Sequence, residues 1–93
     1  MTNKVNASHI LVKTEEEANV AYYDVTHGKS FGEVAREVSI CPSKKKEGNL
    51  GWFNKGQMVR EFEQAAFSMQ KGEISKPIKT QFGYHIIRVE DTK

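Results

Sequence analysis

His9 and His85 are the side chains of this sequence with the widest scope for chemistry near neutral pH. His9 falls in phase with Val5, Ala7 and Leu11. His85 falls in phase with Ile87 and Val89, and both series lie in stretches of strand-like alternation. Both imidazoles are therefore expected on the apolar side of a sheet. One histidine so placed reads as a satisfied core residue. Two on neighbouring strands can exchange a hydrogen bond, and each then fixes the tautomer of the other. His27, beside Gly28, is explained more simply as a basic group at the end of a helix.

Cys41, the single cysteine, sits in S-I-C-P-S. It reads either as a small half-buried apolar residue or as a thiol facing a site with the histidines. Cys–His hydrolysis would require an oxyanion-hole motif or a protease signature, and neither accompanies it. A metal site from His9, Cys41 and His85 lacks a fourth ligand and the close spacing usual for zinc. Leu50, Met58 and Phe62 lie near loops and a helix start. They are either ordinary core or the apolar walls of a pocket for a ligand side chain.

Positioning these groups requires a frame. Ala18, Ala21, Tyr22 and Val25 recur at helical spacing, as do Phe31, Val34, Ala35 and Val38, and again Phe62, Ala65, Ala66 and Met69. Thr14 with Glu17 and Ser30 with Glu33 read as capping boxes for the first two helices. Gly28 and Gly72 are placed to close the first and third. Strands are expected over 5–12, 50–53, 77–80 and 84–89, the last two joined by a turn at 81–83. The order strand, helix, helix, strand, helix, strand, strand makes the chain α+β, with a small, mostly antiparallel sheet covered by helices.

Composition limits the function. The 93 residues suffice for one domain and one modest core, and 38% apolar with 28% charged residues is ordinary globular usage. A net charge of +2 gives no reason to expect a nucleic-acid partner. No apolar run is long enough to span a membrane, and residues 1–13 contain no apolar leader core, so a cytoplasmic protein is expected. One cysteine excludes an internal disulfide. The basic residues concentrate after residue 43, beginning with Lys44, Lys45 and Lys46. That run reads as a solvated, mobile loop, or as a weak, salt-screened attraction to acidic peptides or anionic surfaces.

Taken together, H-I-L-V-K at 9–13, F-G-E-V-A-R-E-V-S at 31–39, G-N-L-G-W-F at 48–53, G-Q-M-V-R-E-F-E at 56–63 with A-F at 66–67, and the stretch from Gly72 to Val89 resemble the parvulin family of peptidyl-prolyl cis/trans isomerases. The resemblance covers nearly the whole chain. It implies a single parvulin-type domain over 1–93, parvulin/FKBP-like, with a four-stranded antiparallel sheet surrounded by about four helices. The additional short helix would fall near Gln57 to Arg60. It implies that His9 and His85 lie on adjacent central strands.

The resemblance also implies site residues. Leu50, Met58 and Phe62 match positions that hold the substrate proline ring, and Gln57 a position near the substrate backbone. His9, Cys41, Thr80 and His85 match the polar network behind the rotating amide. In many relatives aspartate stands at the Cys41 position, so a nucleophile is not required there. Phe82 replaces a serine of some relatives and adds an aromatic wall. Lys13 matches the first of the bases that phosphate-selective members carry, but Glu15, Glu16 and Glu17 follow it and would repel a phosphate. The implied activity is rotation about X-Pro bonds in peptides and folding proteins, without phosphate selectivity, covalent intermediate or cofactor, by a monomer. The alternative is a chaperone-like module that binds extended proline-containing segments without turnover.

Overall fold

A computed structural model describes residues 2–93. Four strands form one antiparallel sheet in the order β2-β1-β4-β3. They are β1 (Lys4–Val12), β2 (Asn49–Asn54), β3 (Ile78–Thr80) and β4 (Gly83–Thr92). Three helices cover it: α1 (Glu15–Thr26), α2 (Phe31–Val38) and α3 (Arg60–Ser68), with a short 3₁₀ turn at Pro42–Lys46. The α+β reading and the four strands hold, and β4 runs three residues beyond its expected end.

The long central strands β1 and β4 bury side chains on both faces, because helices lie on both. On one face Ile10, Val12 and Ile86 meet Ala18, Ala21 and Val25 of α1 and Phe31, Val34 and Ala35 of α2. On the other face Val5, Ala7, Ile87 and Val89 meet Phe53 of β2 and Phe62 and Ala66 of α3. A bulge near Asn6–Ser8 interrupts the register of β1 with both neighbours. Beyond it, Leu11 pairs with His85 and His9 with Ile87, so the two histidines share one face. Gly48 closes the approach from β2: it has φ +87°, and a Cβ there would stand 2.5 Å from the His9 carbonyl oxygen.

Local details depart from expectation. The additional helix is not at 57–60, where the chain only bends before α3. It is the 3₁₀ turn at Pro42–Lys46, which Pro42 can start because its missing N–H is an orphan at that position anyway. The lysine run therefore lies on a 3₁₀ turn and not in an irregular loop, with all three lysines exposed. Thr14 accepts the Glu17 N–H as a cap should, but the Glu17 carboxylate takes the Thr14 hydroxyl and leaves the Thr14 N–H alone. Ser30 caps α2 through the Glu33 N–H. Gly28 has the expected positive φ just after α1. Gly72 does not close α3, which ends at Ser68; it belongs to the following turn. Val38, the last residue of the α2 stripe, is 43% exposed.

Candidate active site

His9 on β1 and His85 on β4 meet as their strand phase suggested. Their Nδ1 atoms are 2.9 Å apart and the rings stack at 5.1 Å. Phe62, from the first turn of α3, stands edge-on to both, at 5.6 Å from His9 and 5.4 Å from His85. Thr80 ends β3 and brings its Oγ1 to 2.7 Å from His85 Nε2. The Phe82 N–H donates to the same oxygen at 3.1 Å.

These bonds order the protons. Two imidazolium rings would oppose N–H against N–H at the Nδ1 contact, so at least one ring is neutral. Burial lowers both, His85 to about 4, and His9 to about 4 with an added contribution from the charge of His85. With both neutral, the Thr80 hydroxyl donates to His85 Nε2, His85 Nδ1–H donates to His9 Nδ1, and the proton of His9 sits on Nε2. The reverse order would leave the Thr80 hydroxyl hydrogen without an acceptor. Nε2 of His9 is buried and has no hydrogen-bond partner among the described residues. The chain of bonds therefore ends at the Nε2–H of His9.

The histidines form part of the wall of a cavity of ≈ 560 Å³. Leu50, Met58 and Phe62 line it, as do Cys41, Gln57 and Phe82. Every expected site residue except Thr80 is thus on the wall, and Thr80 stands behind His85. Cys41 is half-buried and makes no side-chain hydrogen bond to either imidazole. Its backbone N–H donates to Ser39 Oγ. It belongs to the wall and not to the histidine–threonine chain. The Gln57 side-chain carbonyl accepts the Asn54 N–H at 2.6 Å, which holds the turn before α3.

Leu11, Ile40, Pro42 and Val59 also line the cavity and were missed. Leu11 was detectable, since it shares the phase of His9. Ile40 was not: it follows the last periodic residue of α2, and only its N–H bond to the Leu11 carbonyl (2.8 Å) brings it to the rim. Apart from the two imidazoles and the Cys41 thiol, no side chain on the wall is ionisable. Such a cavity suits a small apolar ring and its adjoining amide better than an ionic group. Among the described residues no set of three His, Cys, Asp or Glu side chains converges as metal ligands would.

The profile of the PPIC-type PPIase (rotamase) domain matches residues 6–91. The chain is 50% identical over 91 residues to foldase protein PrsA 1 of Bacillus cereus, covering 97% of this chain and 32% of that protein. It spans about a third of the length of the curated relatives it matches. Among solved structures, NmPin, the parvulin of Nitrosopumilus maritimus, superposes with a TM-score of 0.87 at 50% identity, over 98% of this chain and 99% of that one. PrsA of Bacillus subtilis superposes with a TM-score of 0.92 at 43% identity, over 96% of this chain and 35% of that one.

Proposed function

The chain belongs to the parvulin, or PPIC-type, peptidyl-prolyl cis/trans isomerase family, and on that premise we propose that the cavity beside His9 and His85 is where it rotates X-Pro bonds. It is a peptidyl-prolyl isomerase domain, and proline-containing peptides and proteins are its substrate class. The observation that carries the residue assignment is the buried histidine pair, Nδ1 to Nδ1 at 2.9 Å, in the wall of a largely apolar cavity of ≈ 560 Å³.

Rotation about a peptide bond costs ~18–20 kcal/mol because the planar amide is stabilised by resonance. At X-Pro both planar isomers are populated but exchange slowly. In the twisted transition state resonance is lost and charge separation falls. An apolar enclosure favours that less polar state over the planar one, which water solvates better. Leu50, Met58 and Phe62 hold the proline ring, and the preceding carbonyl turns. Gln57 and Phe82 border the substrate backbone. Thr80 and His85 are positioning residues: they fix the His9 ring and its Nε2–H, whose preset dipole shapes the field where the carbonyl swings. No bond is made or broken, so Cys41 acts as part of the wall and not as a nucleophile, and no cofactor takes part. Each ~1.4 kcal/mol of selective stabilisation is worth a factor of ten.

A wall without lysine or arginine, with Glu15, Glu16 and Glu17 opening α1 just after Lys13, supports activity without phosphate selectivity. The reading also includes a monomeric, cytoplasmic domain whose exposed Lys44, Lys45 and Lys46 make weak, salt-screened contact with anionic surfaces. Liposome cosedimentation with and without salt checks that last part.

NMR exchange spectroscopy on short peptides, varied before proline among apolar, basic, glutamate and phosphoserine residues, tests the whole. Fast exchange before apolar or basic residues and slow exchange before phosphoserine is expected. Shifted peptide resonances without faster exchange would leave a binding module and overturn the catalytic assignment.

A further inference from the structure

On the sheet face opposite the isomerase cavity, α1 and α2 lie side by side and leave a groove of ≈ 400 Å³. Its floor is apolar. Ala21 and Val34 are buried there, while Val20 (59% exposed) and Val38 (43% exposed) stand open to solvent. The other large exposed apolar side chains have an evident neighbour or role. Ile40 and Phe82 border the isomerase cavity, Tyr23 stacks on His27 at 3.9 Å, and Lys93 lies over the Trp52 ring. Val20 and Val38 remain, and both belong to this groove.

The rim is predominantly acidic. Glu16, Glu17, Asp24 and Glu37 surround the floor, and Lys29, the one base among them, lies 3.9 Å from Asp24. This runs against the chain as a whole, whose charge is +2. Helix stability accounts for Glu16 and Glu17, which face the positive end of the α1 dipole. It does not account for Glu37. That residue is in the last turn of α2, where the dipole disfavours an acid, and it has no ion pair among the described residues.

The geometry points to this groove as a docking site for a basic amphipathic helix of a partner protein. Apolar side chains one turn apart on that helix seat over Val20 and Val38, and its lysines or arginines face the glutamates. The same rim repels a nucleic acid, an anionic membrane or a phosphorylated segment. Because the groove and the isomerase cavity open on opposite faces, a partner docked here leaves the cavity free. The inference does not depend on the catalytic assignment.

The probe is a fluorescent, proline-free leucine–lysine helical peptide, titrated into the full chain and followed by anisotropy and by amide NMR. Saturable binding is expected, with shifts confined to α1 and α2. Val20→Ser and Glu37→Lys, both at the surface, should each weaken it about tenfold while catalysed X-Pro exchange stays unchanged. A leucine–glutamate peptide should not bind, and a serine–lysine peptide should bind far more weakly. Absence of saturation, shifts centred on the His9–His85 cavity, affinity unmoved by both substitutions, or equal binding of the serine–lysine peptide would each overturn the proposal.

Discussion

The two faces of the sheet are made from the same two strands and filled by different rules. Ile10, Val12 and Ile86 point to the side of α1 and α2, where Ala18, Ala21 and Ala35 let two helices approach closely. His9, His85 and Ile87, their immediate neighbours, point to the side of α3 alone. One helix does not cover that side, and the uncovered part is the cavity. Period-two alternation thus separates support from chemistry by a single residue step. The supporting face buries apolar side chains and the hydroxyl of Ser8, which donates to Glu90, whereas the other face holds two buried imidazoles whose pKa values burial lowers.

This contrast can be broken by substitution. Phe62 packs edge-on against both histidines and is 2% exposed, so Phe62→Ala should have the largest effect. It should lower stability by about 3–5 kcal/mol and the exchange rate per folded molecule by ~100-fold. Ile86→Ala, on the other face, should lower stability by about 2–5 kcal/mol and leave activity per folded molecule unchanged. Urea denaturation beside peptide exchange separates the two, and a large activity loss in the folded Ile86 variant would erase the distinction.

Acid sharpens it next. Both histidines have folded values lowered to about 4 from an ordinary value of 6.5. Between these limits the unfolded chain binds more protons, so stability is full above about pH 6.5 and falls as pH drops toward 4. The loss should be on the order of a few kcal/mol, shared by the coupled pair. His85→Gln should flatten that slope in urea midpoints measured against pH. Substitutions of the apolar cluster under α1 and α2 should lower the whole curve and keep its slope.

A smaller effect is expected from Thr80→Val, which keeps the shape and removes the hydroxyl. It leaves His85 Nε2 and the Phe82 N–H without their partner, a cost of about 1–3 kcal/mol. A positioning role predicts a lower kcat with KM little changed, together with a changed imidazole ¹⁵N spectrum. An unchanged ¹⁵N spectrum would leave Thr80 a merely structural role.

Much of this was legible in the sequence because strand phase reports facing directly. His9 and His85 could be placed on apolar faces from Val5, Ala7, Leu11, Ile87 and Val89 alone. Their contact could not, since it needs β1 beside β4 in the register that pairs Leu11 with His85. Adjacency came only with the family resemblance. Cys41 shows the limit of both routes: it was expected in the polar network with the histidines, but its separation from the histidine chain depends on backbone bonds of Ile40 and Cys41 that no motif encodes. The short helix was misplaced for a different reason. Pro42 was a valid start signal, but three lysines after it read as solvent-exposed loop.

The central claim is that a largely apolar cavity twists the amide without covalent chemistry. Exchange spectroscopy of the Cys41→Ser protein on an apolar X-Pro peptide tests it most directly. Serine keeps a small polar side chain at the wall and removes the thiol, so most of the acceleration should survive, with a far smaller loss than in Phe62→Ala. Complete loss in Cys41→Ser, with the fold intact and peptide still bound, would contradict it and assign the thiol a covalent or acid–base step.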